Sequence, residues 1–347
     1  NKEGKGPAWA NSLFEDNAEH GLGMYIGQNK IRQDLAEETR QLIAVEWARP
    51  ELKAAAQAWL DTMEDGEANA EPARAFVKAL EDSICTVDEL AAVPQFAEHA
   101  AQLKAKGALF CDCAACTIAA DLLSKKEYLA KKSMWIFGGD GWAYDIGYGG
   151  LDHVMASGED INVFVVDTEV YSNTGGQSSK ATPVGASAKF ADGGKKTAKK
   201  DLGRLMMTYP NVYVASVAMG ANPAQLMKAV TEAVAHKGPS IVIAYAPCIN
   251  HGIKAGMNNV QAEMKKAVDC GLWPLYRYDP NKTEKPFSLD YKKPSVPVEE
   301  FFNGEVRYAG LKIKYPETAA KLFAEAQVEA DARYETYVAL AHSYNKD

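Results

Sequence analysis

Long hydrophobic runs are missing from this chain: nowhere in its 347 residues do 18 apolar residues follow one another, so no membrane-spanning helix is expected. The opening NKEGKGPAWA lacks the basic-then-apolar order of a secretion leader, and the expected location is the cytoplasm. Positive charge is not in excess. With 38 Lys and Arg against 46 Asp and Glu, the formal net charge is −8, which argues against a nucleic-acid partner. Cysteine is scarce and unevenly spaced, six in the whole chain; this excludes a disulfide framework and leaves reduced thiols or cluster ligands. Two common phosphate fingerprints are also absent. No Gly-Lys-Ser/Thr follows the GGDG at 138–141, and a dinucleotide fingerprint begun at Gly139 would need glycine where Tyr144 stands.

What is present is a chain with 47% hydrophobic residues, enough to bury a full core in one large or two medium domains. Its most informative stretch runs from Trp135 to Gln177: strand, glycine turn, helix, strand, glycine turn. Met134 to Phe137 is an apolar run that ends in Gly138-Gly139-Asp140-Gly141, and Ile161 to Val166 is a second that ends in Asp167-Thr168. Two buried parallel strands that finish in such loops place a ligand at their carboxyl ends. Glycines let backbone amides approach an anion, a following helix N-terminus favours negative charge, and an acidic residue among them needs a cation. A diphosphate bridged by a metal ion fits all three.

A GDG turn alone is equally a solvated strand end. Thr168, however, lies 29 positions after Gly139, and GDG with a residue pair about 30 positions on resembles the thiamine diphosphate motif. The longer strings GGDGWAYDIGYGGLDHV and DTEVYSNTGGQSSKATP resemble pyruvate:ferredoxin (flavodoxin) oxidoreductase, in its C-terminal thiamine diphosphate-binding portion. The resemblance runs from GKGPAWANSLFEDNAEHGLGM near the start to WPLYRYDP at Trp273 to Pro280. It is weakest across residues 50 to 130.

By position in the motif, the resemblance implies that Asp140 gives Mg²⁺ a carboxylate, Thr168 a hydroxyl and Val170 a backbone carbonyl. Thr168 stands where most thiamine enzymes have asparagine, a departure the ferredoxin-linked family shares. Gly139, Gly141 and Trp142 would complete the cofactor site, and Asn173 would contact substrate as well as cofactor. Cys248, in APCINHG, matches the fourth ligand of a 4Fe-4S cluster whose other three cysteines are not in this sequence; on burial alone it would be a small core residue. The implied reaction is the oxidative decarboxylation of pyruvate to acetyl-CoA and CO₂, with electrons leaving through clusters to ferredoxin or flavodoxin. The implied partners are coenzyme A, the remaining domains or chains of the same enzyme, and a second copy in a homodimer. A related 2-oxoacid enzyme and a non-redox thiamine decarboxylase are the alternatives. The chain opens on a glycine-rich loop with no strand before it, as the C-terminal portion of a longer polypeptide would, and the glutamate that activates thiamine would lie in a second domain.

The implied fold is α/β: a mostly parallel sheet flanked by helices, with a helical insertion and a C-terminal helical tail. Residues 1–285 would be the thiamine diphosphate-binding domain without its N-terminal part, helical over about 29–130 and α/β over about 131–280; residues 286–347 would be an extension. Ile31, Leu35, Leu42 and Val45, then Leu52, Ala56, Trp59, Leu60 and Met63, recur at helical spacing, with Pro50 and Pro72 as first-turn prolines. Further strands are expected at 211–217 and 240–245, helices from 201, 223 and 258, and a proline-rich crossing at 282–297. A long helix from Pro316 to His342 has an apolar face that would pack on its own domain or on another. Cys111, Cys113 and Cys116 read as unpaired thiols on or beside a helix, since no second pair at zinc spacing and no thioredoxin context accompanies them. Cys85 and Cys270 read as packing residues, and His153 and His251 as neighbours of the site. Lys195, Lys196, Lys199 and Lys200 read as an exposed basic loop.

Overall fold

A computed structural model describes residues 17–345. The opening segment GKGPAWANSLFED, expected to be a glycine-rich loop, lies outside the described residues. The chain divides into two compact units, Met24–Ser133 and the remainder from Met134 together with the residues before Met24.

The first unit is helical, with α1 (Asn17–Ala44) entering it and α2 (Pro50–Thr62), α3 (Ala70–Ser83), α4 (Val87–Ala91), α5 (Ala97–Ala105) and α6 (Ala114–Ser124) following. Pro50 opens α2 where its missing N–H costs nothing. The expected apolar spacing is the core. Leu35, Leu42, Leu52, Ala56, Trp59 and Phe76 are buried together with Ala119 and Leu122 of α6. Two polar groups close this core on the carbonyls of the following turn. Trp59 Nε1 donates to Leu129 O at 2.8 Å, and the buried Arg32 guanidinium donates to Tyr128 O and Leu129 O at 2.7 and 2.8 Å. A smaller cluster of Val87, Leu90, Ala100 and Leu103 joins α4 to α5, with Cys85 and Cys111 packed on it.

The second unit is α/β. Its strands and helices run β1 (Trp135–Gly139), α7 (Tyr148–Ala156), β2 (Asn162–Asp167), β3 (Val170–Tyr171), β4 (Gln177–Ser178), α8 (Leu202–Met206), β5 (Tyr213–Val217), α9 (Pro223–Ala235), β6 (Ser240–Tyr245), α10 (Val260–Asp269), β7 (Tyr276–Tyr278), β8 (Phe287–Leu289), α11 (Val298–Phe302), α12 (Val306–Lys314) and α13 (Pro316–Tyr344). A six-stranded sheet has the order β1-β2-β6-β5-β7-β8. Its first four strands are parallel; β7 pairs antiparallel with β5, and β8 pairs antiparallel with β7. The mostly parallel sheet flanked by helices is therefore the observed architecture. Continuous apolar runs make β5 and β6, buried on both faces. Helix α9 covers them through Ala229 and Ala233. It starts where Asn222 accepts a hydrogen bond from the Gln225 amide and Pro223 sets the first turn.

Two differences from the sequence reading, and one point it left open, have physical causes. The expected crossing at 282–297 contains β8, a strand of only three residues and too short to show alternation. The stretch after GDG is not one helix: a π-helical turn, Gly141–Ile146, precedes α7. The apolar face of α13 packs within its own unit, where Tyr337 stacks on Tyr276 with centroids 4.6 Å apart and donates to Asp201 at 3.0 Å.

Candidate cofactor site

Strands β1, β2 and β6 lie side by side, with Gly139 opposite Val166 and Asp167 opposite Tyr245 in the parallel register. The residues that follow them, Asp140, Thr168 and the 246–251 loop, therefore emerge at one sheet edge. A cleft of about 520 Å³ opens there, lined by Gly139, Asp140, Gly141, Trp142, Thr168, Val170 and Asn173 among others. The structure thus brings together every residue expected at the cofactor except Cys248, which stands one hydroxyl away.

Three oxygens converge in the cleft. Thr168 Oγ1 is 2.8 Å from Asp140 Oδ1 and 3.0 Å from the Val170 carbonyl oxygen. The single hydroxyl proton of Thr168 can serve only one of these two acceptors at a time. An octahedral Mg²⁺ at about 2.05 Å from each ligand sets neighbouring oxygens about 2.9 Å apart, and the observed spacings straddle that value. The donor set fits a hard divalent cation.

Electrostatics agree. Asp140 is 1% exposed, and burial, followed by the neighbouring Asp167 carboxylate, pushes its carboxyl up to about 7 against the pull of hydrogen bonds from Ser179 and Thr168. Ser179 Oγ donates to Oδ2 at 2.8 Å and the Thr168 amide to Oδ1 at 3.2 Å. The nearby Lys199 ammonium offsets this charge only in part, and a bound cation would supply the rest of the countercharge.

The glycines divide by role. A Cβ on Gly138 would stand 2.0 Å from the Trp142 ring, and one on Gly141 would stand 2.4 Å from the Tyr171 ring, so both are required by packing. A Cβ on Gly139 would meet nothing closer than 4.0 Å, which leaves that backbone open to a ligand. Trp142 is buried between Gly138 and Gly147 and its Nε1 has no partner. Asn173 is exposed on the rim.

The 246–251 loop is tied to the 167–170 loop. Cys248 caps the short 3₁₀ turn Ile249–His251, its half-buried sulfur receiving the Asn250 amide at 3.4 Å. His251 is fully buried, with Nε2 2.8 Å from the Thr168 carbonyl and Nδ1 3.4 Å from Glu305. His153 is exposed on α7 and meets none of this. Among the described residues, Cys248 joins no group of three metal-competent side chains.

Sequence reasoning missed Ser172, Ser179, Glu169 and Arg307. Ser172 and Ser179 are loop serines with no pattern to mark them. Glu169, between the two metal-loop residues, takes a left-handed φ of 60° and is buried against Lys199 at 3.2 Å and Arg307 at 2.8 Å. These two cations outweigh burial and hold its carboxyl down at about 2. Lys199 also pairs with Asp167 at 2.8 Å, which corrects the exposed-loop reading: Lys195 donates to the carbonyls of Ser179 and Thr182, Lys200 to that of Tyr144, and only Lys196 of the four is exposed.

A cleft at the carboxyl edge of a parallel sheet, with a carboxylate, a hydroxyl and a carbonyl gathered beside an open glycine, offers the groups that a metal-bridged diphosphate needs. Residues 113–244 match the thiamine pyrophosphate enzyme family, C-terminal TPP binding domain. Over nearly its whole length the chain is a relative of one segment of the pyruvate:ferredoxin and pyruvate-flavodoxin oxidoreductases. It is 49% identical over 344 residues to the pyruvate:ferredoxin oxidoreductase of Moorella thermoacetica, which covers 98% of this chain and 27% of that protein. Identity to the pyruvate-flavodoxin oxidoreductase of Klebsiella pneumoniae is 48% over the same length and shares. A solved 2-oxoglutarate:ferredoxin oxidoreductase from Magnetococcus marinus aligns at 24% identity and a TM-score of 0.32, over 34% of this chain and 40% of that one. The chain spans about a quarter of the length of the curated relatives it matches, 27% for each of these two.

Proposed function

We propose that this chain is the magnesium- and thiamine diphosphate-binding segment of an oxidoreductase that converts pyruvate and coenzyme A to acetyl-CoA and CO₂, with two electrons passing to ferredoxin or flavodoxin. The observation that carries the reading is the oxygen triad of Asp140, Thr168 and Val170, whose spacings of 2.8 and 3.0 Å suit the edges of a magnesium octahedron. Thiamine diphosphate supplies the electron sink for cleavage beside a carbonyl. The chain's own groups bind and orient: the triad holds the metal, the open backbone at Gly139 faces the diphosphate, and Asn173 on the rim donates to the substrate's carboxylate or carbonyl. Trp142 walls the cleft against water. Cys248 offers one thiolate to a 4Fe-4S cluster completed by residues outside this sequence, and thereby the first station for departing electrons.

A site built this way is half a site, because neither the activating glutamate nor three cluster cysteines are assigned to this sequence. The test is ¹⁴CO₂ release from carboxyl-labelled pyruvate, with Mg²⁺, thiamine diphosphate and coenzyme A, by this chain alone and with the rest of the enzyme. Activity only in the second mixture is expected; steady turnover by the chain alone would overturn the half-site reading. Iron and acid-labile sulfide in the assembled enzyme separate this reading from a non-redox decarboxylase.

A further inference from the structure

Outside the cofactor site, one group of reactive side chains stands apart. The sulfurs of Cys111, Cys113 and Cys116 all lie within 4.8 Å of one another. They are unpaired thiols on or beside a helix, as the sequence reads, and two pieces of local structure gather them. Residues before Cys111 form a bridge between Phe110 and Thr86, anchored by the Cys111 amide on the Cys85 carbonyl at 2.9 Å. Cys113 is the N-cap of α6, so the helix's first turn folds Cys116 back over it.

Each of the three sulfurs also receives a backbone amide. The Cys113 N–H points to Cys111 Sγ at 3.3 Å, the Cys116 N–H to Cys113 Sγ at 3.5 Å, and the Cys85 N–H to Cys116 Sγ at 3.4 Å. A neutral thiol is a weak acceptor, whereas a metal-bound thiolate is stabilised by such outer contacts. Without a cation, three adjacent thiolates cannot coexist. A divalent ion removes that obstacle.

We propose that Cys111, Cys113 and Cys116 form a three-thiolate site for a soft divalent metal of the Zn²⁺ class, with the fourth position taken by water. Zinc–sulfur bonds of about 2.3 Å put tetrahedral ligands about 3.8 Å apart, so closing on the ion requires shifts of roughly 1 Å or less. A disulfide would use two sulfurs and strand the third at the same short range. Among the described residues no fourth protein ligand is poised: the Asp112 carboxylate is held by His99 at 2.7 Å, and the Cys85 thiol is turned to the Thr86 carbonyl. Cys111 and Cys113 are half-buried and Cys116 is buried, so the open position faces solvent and the ion is exchangeable. The metal would join the start of α6, whose far side is built into the Trp59 core, to the Cys85–Cys111 bridge on the α4–α5 cluster.

The experiment is anaerobic titration of the reduced full chain with Co²⁺, which reports thiolate ligation by a sulfur-to-metal charge-transfer band and tetrahedral geometry by visible ligand-field bands. One equivalent is expected to saturate both bands and Zn²⁺ to abolish them. Cys248→Ser should leave the spectrum unchanged; Cys113→Ser and, separately, the more exposed Cys111→Ser should lose it while circular dichroism shows the helices intact. Oxygen ligands at Asp140 give no charge-transfer band, so failure of the thiamine reading leaves this test untouched. Absence of a saturable band in the wild-type chain, its survival in both Cys113→Ser and Cys111→Ser, or its loss in Cys248→Ser would overturn the proposal.

Discussion

The hydroxyl oxygen of Ser172 lies 3.1 Å from the sulfur of Cys248 and 2.9 Å from Oγ1 of Thr168. One small side chain thus spans the gap between the loop after β2, which carries the proposed metal ligands, and the loop after β6, which carries the proposed cluster ligand. His251 ties the same loops a second time through the Thr168 carbonyl. Thr168, placed between the two ties, cannot move without disturbing the environment of Cys248.

With a cluster bound through Cys248, the Ser172 hydroxyl becomes a hydrogen-bond donor to a ligand sulfur, and such bonds favour the more negative, reduced cluster. Ser172→Ala in the assembled enzyme should therefore move that cluster's midpoint potential to a more negative value. Redox titration followed by electron paramagnetic resonance reads this directly. An unmoved potential would mean that the hydroxyl serves Thr168 alone.

Lys199 is the cation shared by two buried carboxylates, Asp167 and Glu169. Lys199→Met keeps an unbranched stem of similar length and removes the charge, including the ammonium 4.7 Å from the centre of the Trp273 ring. Arg307 still answers Glu169, but Asp167 keeps only the Tyr144 hydroxyl and the Glu169 amide. Breaking a buried pair from one side costs about 3–5 kcal/mol, and the urea midpoint should fall accordingly. A variant unfolding at the wild-type midpoint would show that Asp167 takes up a proton at little cost.

That lysine also shows where sequence reading stops. Asp140 and Thr168 were legible because apolar runs ending in glycine or Asp-Thr fix strand ends, and parallel strands in register bring those ends together. Lys199 was misread because KKTAKK has the composition of a solvated loop, while the charges that draw it inward lie about 30 positions earlier and exert no local pattern. Ser172 and Ser179 carry no periodic signal; only the folded positions of Cys248 and Asp140 give them meaning. For α13 the apolar face was evident and its partner was not, since Tyr337 finds Asp201 and Tyr276 only once the sheet exists. The two antiparallel strands β7 and β8, of three residues each, fall below the length at which alternation can be recognised.

Lys200 provides a pH signature. Burial, then the nearby Lys180, lowers its amine to about 8, although it donates to the Tyr144 carbonyl at 3.1 Å and sits 3.1 Å over the Tyr148 ring. An unfolded lysine titrates near 10.4, so the unfolded chain binds this proton more tightly. The penalty is complete below about pH 8, and this residue's contribution to stability rises with pH from there to about 10.4. Reductive ¹³C-methylation and NMR should find one lysine titrating some two units below the others and disappearing in Lys200→Met. A uniform set of midpoints near 10 would contradict the burial argument.

The strongest test falls on Asp140. Its carboxylate is buried, faces Thr168 and Ser179 rather than a cation, and stands beside a second carboxylate at Asp167. Without metal that charge is a burden on the fold; with Mg²⁺ it becomes the principal attraction in the site. Asp140→Asn keeps the volume and most of the hydrogen bonds but discards the charge. The two states should respond in opposite directions. In the absence of ligands the variant should be at least as stable as the parent chain, because no uncompensated carboxylate is buried. Its affinity for Mg²⁺ and thiamine diphosphate should fall by tenfold or more, a loss of about 1.4 kcal/mol, and the thermal stabilisation on adding both ligands should shrink with it. Calorimetric titration and melting curves on the same preparations read both effects. A folded Asp140→Asn chain that binds the pair with undiminished affinity would remove Asp140 from the metal site and leave the oxygen triad without its charge.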